Sequence, residues 1–135
     1  MTATAKQKVV QEISDYIKHW LNLDLHLFAS SASRKNLRYK VIHVDTDDDK
    51  YAQLRELVKL AACPTIVYVS RTKRTRELAS KLTRDGMKAL PFNGKMDPDE
   101  KIKNQDEFMT GSVNIIVATS AFGMGVDKSD VGLVV

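Results

Sequence analysis

Residues 118–131 read ATSAFGMGVDKSDV and gather more chemical capacity than any other stretch of the chain. Thr119 offers a hydroxyl, Asp127 and Lys128 offer opposite charges, and Gly123 and Gly125 bracket Met124. Glycines at that spacing let the backbone take positive φ and come close to a partner. From the residues alone two readings stand open: a plain turn with Phe122 and Met124 tucked under a sheet, or a backbone strip that holds an anion. Ser70 and Arg71 form a second candidate, between a β-branched run and a helix-like segment. The N-terminus of a helix presents free N–H groups to an anion, and an arginine beside it can hold two phosphate oxygens at once.

The usual signatures of standalone catalysis are missing. There is no GxxxxGK(S/T) phosphate loop, no HExxH and no GxSxG. His19, His26 and His43 lie in separate segments amid apolar periodicity, without metal-ligand spacing. The single cysteine, Cys63, excludes an internal disulfide and a cysteine-based zinc site, and suits a reducing compartment. Beside Pro64 it reads as a small packing residue. The net charge of +4 permits a polyanionic partner without demanding one. Its distribution is sharper. Arg71, Lys73, Arg74, Arg76, Lys81 and Arg84 face only Glu77 in their stretch, whereas Asp45, Asp47, Asp48 and Asp49 are clustered upstream. The basic stretch is either a solvated helix face or a phosphate-contacting one. No segment is apolar and long enough to span a membrane, and MTATAKQK lacks the apolar core of a secretory signal.

These residues need elements to hold them. With 135 residues the chain can bury a core. Val9, Val10, Ile13, Tyr16, Ile17 and Trp20 predict a helix over 3–20. Leu23–Phe28 and Leu37–Val44 read as strands, separated by a polar loop with Ser30, Ser31 and Ser33. Asp47–Asp49 open a helix with Tyr51, Leu54, Leu57, Val58 and Ala61 on its buried side. Thr65–Val69 suits a strand covered on both faces. Ser70 is expected to cap the next helix, which buries Leu78, Ala79 and Leu82 and closes at Gly86. After a brief strand at Lys88–Pro91, DPDE predicts a helix start, with Asp97 as cap, Pro98 at the first position and Glu100 reaching back. That helix should bury Ile102, Phe108 and Met109 and end at Gly111. Val113–Ala118 and Val131–Val135 are the last strands, the chain ending within the second. Such alternation is the grammar of an open parallel α/β sheet, whose functional groups sit at the carboxyl ends of strands. Both candidate segments fall there.

The stretch IIVATSAFGMGVDKSDVGLVV, residues 115–135, resembles motif V of RecQ-family DNA helicases of superfamily 2. TIVYVSRTKRTRELASKL, 65–82, is similar to motif IV, and TATA, 2–5, to the end of motif III. SRKNLRY, 33–39, resembles the approach to the second motor domain, although Ser33 and Lys35 replace an Asp and a Pro. In FNGKMDPDEKIKNQDEFMTG, 92–111, Phe92 and Asn93 stand where a Tyr-His-Ala run is common, so no histidine role carries over. Ser129 replaces a common proline. The likeness covers essentially the whole chain.

The resemblance implies a three-layer RecA-like α/β fold, cut short at its C-terminal strand. Residues 1–30 would hold the end of motor domain 1 and a linker, and 31–135 motor domain 2 without motif VI. It implies part of an ATP-dependent 3′-to-5′ DNA helicase, with ATP and Mg²⁺ as cofactors of the full-length enzyme, and no catalytic residue or bound cofactor in these residues alone. Single-stranded or duplex DNA and the first motor domain of the same chain would be the partners. Ser70, Arg71, Thr119, Ala121, Phe122, Gly123 and Lys128 would serve the DNA side, those at 121–123 through their backbone. Gly125 and Asp127 would face the ATP cleft. The implied location is the cytoplasm, at the nucleoid, in a bacterium, and the nucleus in a eukaryote. A binding module that keeps the fold without the motor, and an RNA helicase of the same superfamily, remain as alternatives.

Overall fold

The computed structural model describes residues 5–28, 34–123 and 126–135. The chain divides into two compact units, Met1–Val41 and Ile42–Val135.

In the first unit, α1 spans Gln7–Leu21. Positions 3 and 4 of the expected helix lie outside the described residues. Asn22 ends it at φ 52°, its N–H donating to the Lys18 carbonyl, and Lys18 pairs with Asp24 at 3.0 Å. The helical periodicity is real, yet no residue of α1 is buried. Leu23–Phe28 is not a strand: among the described residues it pairs with no other strand, and Leu23, Leu25, Leu27 and Phe28 are exposed. Leu37–Val44 is not one either. Residues 37–41 are all exposed, and burial alternates only from Val41 to Val44, where Ile42 and Val44 are half-buried while Val41 and His43 are exposed. Side-chain alternation alone does not make a strand, because the backbone N–H and C=O groups must also find a ladder.

The second unit carries the sheet. α2 (Asp47–Ala61) starts where Thr46 Oγ1 accepts from the Asp49 N–H, and Asp47, Asp48 and Asp49 sit in the first turn, where the helix dipole favours them. Then follow β1 (Thr65–Tyr68), α3 (Thr72–Arg84), β2 (Ala89–Phe92), α4 (Pro98–Met109), β3 (Ile115–Ala118) and β4 (Leu133–Val134). The sheet order is β2-β3-β1-β4 and every pairing is parallel. The crossover through α3 leads from β1 past β3 to β2, and the one through α4 leads back. Crossovers of one hand that travel in opposite directions must place their helices on opposite faces. The packing agrees. Leu54 and Val58 of α2 and Leu78, Ala79 and Leu82 of α3 pack with Val67, Ala89, Ile115 and Val117. Phe108 of α4 packs with Ile66, Phe92, Ile116 and Ala118 on the other side. β3 therefore feeds both cores by strict alternation, which its continuous apolar run requires.

Several local expectations change. Ser70 does not cap α3: the cap position is Arg71, and no side chain closes that helix end. Asp97 does cap α4, accepting from the Asp99 N–H, with Pro98 at the first turn. Glu100 does not reach back, because its carboxylate is taken by Arg76 of α3 in a two-point pair at 3.0 and 2.8 Å. Ile102 is exposed, and Asn104 is buried in its stead. The Asn104 amide donates to the Pro91 carbonyl at 2.9 Å. This serves the edge strand β2, where Pro91 offers no N–H and the Ala89 N–H donates to Thr83 Oγ1. Gly86 and Gly111 take φ of 85° and 82° after their helices, as expected. Among the described residues no helix is long and apolar enough to cross a membrane.

Candidate nucleic-acid interface

β1 and β3 are neighbours in register, Tyr68 opposite Ala118. Their following loops therefore open side by side at the carboxyl edge of the sheet. Between them lies a cleft of about 470 Å³, lined by Tyr68, Val69, Ser70, Thr119, Ser120 and Phe122.

The β3 loop is a tight turn. The Phe122 N–H donates to the Thr119 carbonyl at 3.0 Å, and the Thr119 N–H donates to the Phe92 carbonyl at 3.2 Å. The Phe122 ring is only 2% exposed. It meets the rings of Phe92 and Phe108 edge-on, with centroids 4.8 and 5.9 Å away. A phenylalanine stands in this glycine-rich loop because it nails the loop to the second core. Its carbonyl accepts from Tyr68 Oη at 3.0 Å. Gly123 follows at φ 116°, and a Cβ there would sit 2.9 Å from the same oxygen. Glycine is thus required twice, by the backbone angle and by the tyrosine hydroxyl.

Both polar groups of the Phe122 backbone are consequently spent within the protein, so this residue cannot donate to an anion. Other groups of the strip remain available. Ser120 and Ala121 are exposed and Thr119 half-buried. Across the cleft, Ser70 and Arg71 are exposed. The N-terminus of α3 carries no side-chain cap, with Arg71 at the cap position, so no side chain competes for the N–H groups of Thr72 and Lys73 at the positive end of its dipole. Hydroxyls at Ser70, Thr119 and Ser120, first-turn amides and one guanidinium make a set of donors suited to phosphate oxygens.

The wider basic face is mostly occupied. Arg76 is held by Glu100, whose hydrogen bonds raise its pKa. Arg74 lies 4.0 Å from both Asp47 and Glu77, Lys73 is 3.6 Å from Glu77, and Lys81 sits 4.0 Å from the centre of the Tyr51 ring. These four side chains thus have partners within the chain, and Arg71 is exposed at the cap position of α3.

Lys128 also departs from expectation. Its side chain is 7% exposed. The ammonium donates to the Met109 carbonyl at the end of α4 at 3.3 Å, reaches Asp130 at 2.9 Å and lies 5.6 Å from the centre of the Phe108 ring. The hydrogen bond from Lys128 lowers the Asp130 pKa. Lys128 is thus a latch between the loop and α4 rather than free positive charge at the strip. Asp127 is exposed. Gly125, expected at the ATP cleft, and Met124 lie outside the described residues. Among the described residues no three side chains of the metal-binding kind come together.

Two contributors were not visible in the sequence. The hydrogen bond from Tyr68 to Phe122 joins positions 54 apart, beyond any local pattern. Asn93, 3% exposed, bonds the first turn of α3 from the end of β2. A polar residue just past a strand run was the sole signal for it.

Comparison with known proteins now gives this geometry a family. The helicase conserved C-terminal domain matches residues 49–135. Over 99% of its length the chain is 31% identical to the ATP-dependent DNA helicase RecQ of Haemophilus influenzae, covering 21% of that protein. Over its full length it is 36% identical to the ATP-dependent DNA helicase hus2/rqh1 of Schizosaccharomyces pombe, covering 10% of it. The chain thus spans about a fifth or less of these curated relatives. In fold it is similar to Saccharomyces cerevisiae Dbp5 bound to RNA and ADP BeF3, with a TM-score of 0.75 over 98% of this chain and 34% of that one at 21% identity. The strand-end cleft, the two-faced parallel sheet and these matches agree: the chain belongs to the helicase conserved C-terminal domain family, with RecQ-family DNA helicases as full-length relatives at about 30% identity.

Proposed function

We propose that the chain is the second motor portion of a RecQ-type ATP-dependent DNA helicase that travels 3′ to 5′, and that its strand-end cleft holds the backbone of one DNA strand. The observation that carries this reading is the convergence of Ser70, Thr119 and Ser120 on the cleft, with Arg71 next in the chain at the uncapped N-terminus of α3. These donors contact phosphate and carry no sequence readout, which suits a motor that must step along any sequence. Ala121 and Gly123 contribute backbone, and Phe122 contributes by anchoring the turn.

Residues 1–30 are proposed as the end of the first motor domain with its linker. The compact units divide at Val41 and Ile42, so the linker would extend that far. The described residues fit only the rim of a nucleotide site. Asp127 is an exposed carboxylate able to face a ribose or to couple the ATP cleft to the groove, and among the described residues no cluster of metal ligands accompanies it. ATP and Mg²⁺ would supply the energy of the cycle in the full-length enzyme, and this chain alone should not hydrolyse ATP. Asp127→Ala in that enzyme should reduce ATP-driven unwinding more than DNA binding.

The test is fluorescence anisotropy with a labelled single-stranded oligonucleotide across a salt series. Each phosphate neutralised on a single strand adds about −0.7 to the slope of log K against log salt. Arg71→Ala should weaken binding and flatten the slope by about that amount. Thr119→Val should weaken binding at an unchanged slope. If both variants bind as the parent does, the cleft is not the strand site. A matched RNA strand bound more tightly than DNA would favour the RNA helicase reading.

A further inference from the structure

We propose that Asn93 is a positioning residue for the strand site, aiming Arg71 and the first turn of α3 from the end of β2. The inference rests on the strand-site reading above. Asn93 is buried, and its amide orientation is fixed because Oδ1 accepts from the Lys95 N–H at 3.0 Å. Nδ2 therefore faces α3, where it donates to Thr75 Oγ1 at 2.8 Å and lies 3.5 Å from the Thr72 carbonyl. Thr75 is itself fully buried and passes its proton-donating bond on to the Thr72 carbonyl at 2.6 Å. A chain of hydrogen bonds thus runs from the β2 loop to the first residue of α3. Such a chain is strong in a low-dielectric setting and directional.

The anchor end is firm. The Asn93 N–H lies 3.3 Å from the Met96 sulfur, and Met96 is buried. A second tie holds α3 from the start of α4, the Arg76–Glu100 pair. α3 has no side-chain cap of its own. On this proposal the direction of its first turn and of Arg71 is set from outside the helix, by the loop that Asn93 begins. A helix end left open for a ligand still needs holding, and a buried amide does this without occupying the donors.

The test is a double-substitution cycle on the 135-residue chain, read by single-stranded DNA affinity and salt slope, with circular dichroism melting as the folding control. Asn93→Ala should weaken binding about fivefold, the scale of one neutral hydrogen bond. It should flatten the salt slope by about 0.7, as loss of the Arg71 contact would. In an Arg71→Ala background it should add nothing. Thr75→Val breaks the same chain from the helix side and should match Asn93→Ala, while Thr75→Ser keeps the hydroxyl and should bind as the parent does. If Arg71→Ala weakens binding but Asn93→Ala and Thr75→Val are silent, or their losses simply add to it, the positioning role is wrong and the strand site stands. If Arg71→Ala is itself silent, the positioning role is wrong, and if Thr119→Val is silent too the strand site falls as well.

Discussion

Gly123→Ala puts the loop geometry under direct strain. The substitution forces an L-residue to φ 116° and sets its methyl 2.9 Å from Tyr68 Oη. Holding a non-glycine residue in so sparsely populated a backbone region costs about 1–3 kcal/mol. The methyl can be accommodated if the tyrosine ring swings away, but that breaks the 3.0 Å bond to the Phe122 carbonyl. One neutral hydrogen bond contributes about 1 kcal/mol, so the total loss should be roughly 2–4 kcal/mol. Urea unfolding followed by far-ultraviolet circular dichroism would measure it. Fluorescence would not serve, because the single tryptophan, Trp20, is on α1 in the other unit. Tyr68→Phe separates the two parts. In that background the clash and the hydrogen bond are both gone, and Gly123→Ala should cost only the backbone share. Equal losses in the two backgrounds would refute the contact with Tyr68. A loss under about 0.5 kcal/mol in the parent would refute the strained geometry itself.

Three further outcomes follow from charges and packing. Lys128→Met removes the latch but keeps an apolar stem over Phe108; it should lower stability by about 1–2 kcal/mol in urea unfolding, with strand affinity changed less than by Arg71→Ala. Because the Asp130 pKa is lowered in the folded chain, its pairing with Lys128 should stabilise fully above the unfolded carboxylate pKa and fade as pH falls through the lowered value. An acid titration of Asp130→Asn should lack that component. Tyr51 behaves oppositely: burial first, then its hydrogen bond to Asp85, pushes its pKa up to about 12. Its stabilisation should persist below the unfolded tyrosine pKa of about 10 and be lost as pH rises toward the folded value, a decline that Tyr51→Phe should abolish in alkaline unfolding curves.

Much of the second unit was legible because its signals are local. β3 is a continuous apolar run fed into two cores, α3 is a periodic helix ending at Gly86, and Asp97-Pro98 is a cap followed by a first-turn proline. Several of the errors share one cause: they depended on a partner distant in sequence. Glu100 had the right spacing for a capping box, but Arg76 offers a charged two-point pair instead. Lys128 looked like a free cation until α4 supplied a carbonyl and an aromatic face. Leu37–Val44 alternates as a strand does, but alternation says nothing of whether a ladder exists. At the site, the positions of Ser70, Arg71 and Thr119 at strand ends were readable from the rhythm of the chain. The hydroxyl of Tyr68 that makes Gly123 obligatory was not, since only the parallel pairing of β1 with β3 brings them together.

On the proposed function, one strand of DNA lies against the carboxyl ends of β1 and β3. Amide chemical-shift mapping with a short single-stranded oligonucleotide at low salt tests it residue by residue. The shifts should cluster at residues 69–73 and 119–123, weaken together as salt is raised, and spare α2. Shifts centred on α1 or on the acidic start of α2, or none in either strand-end loop while binding is measurable, would contradict it.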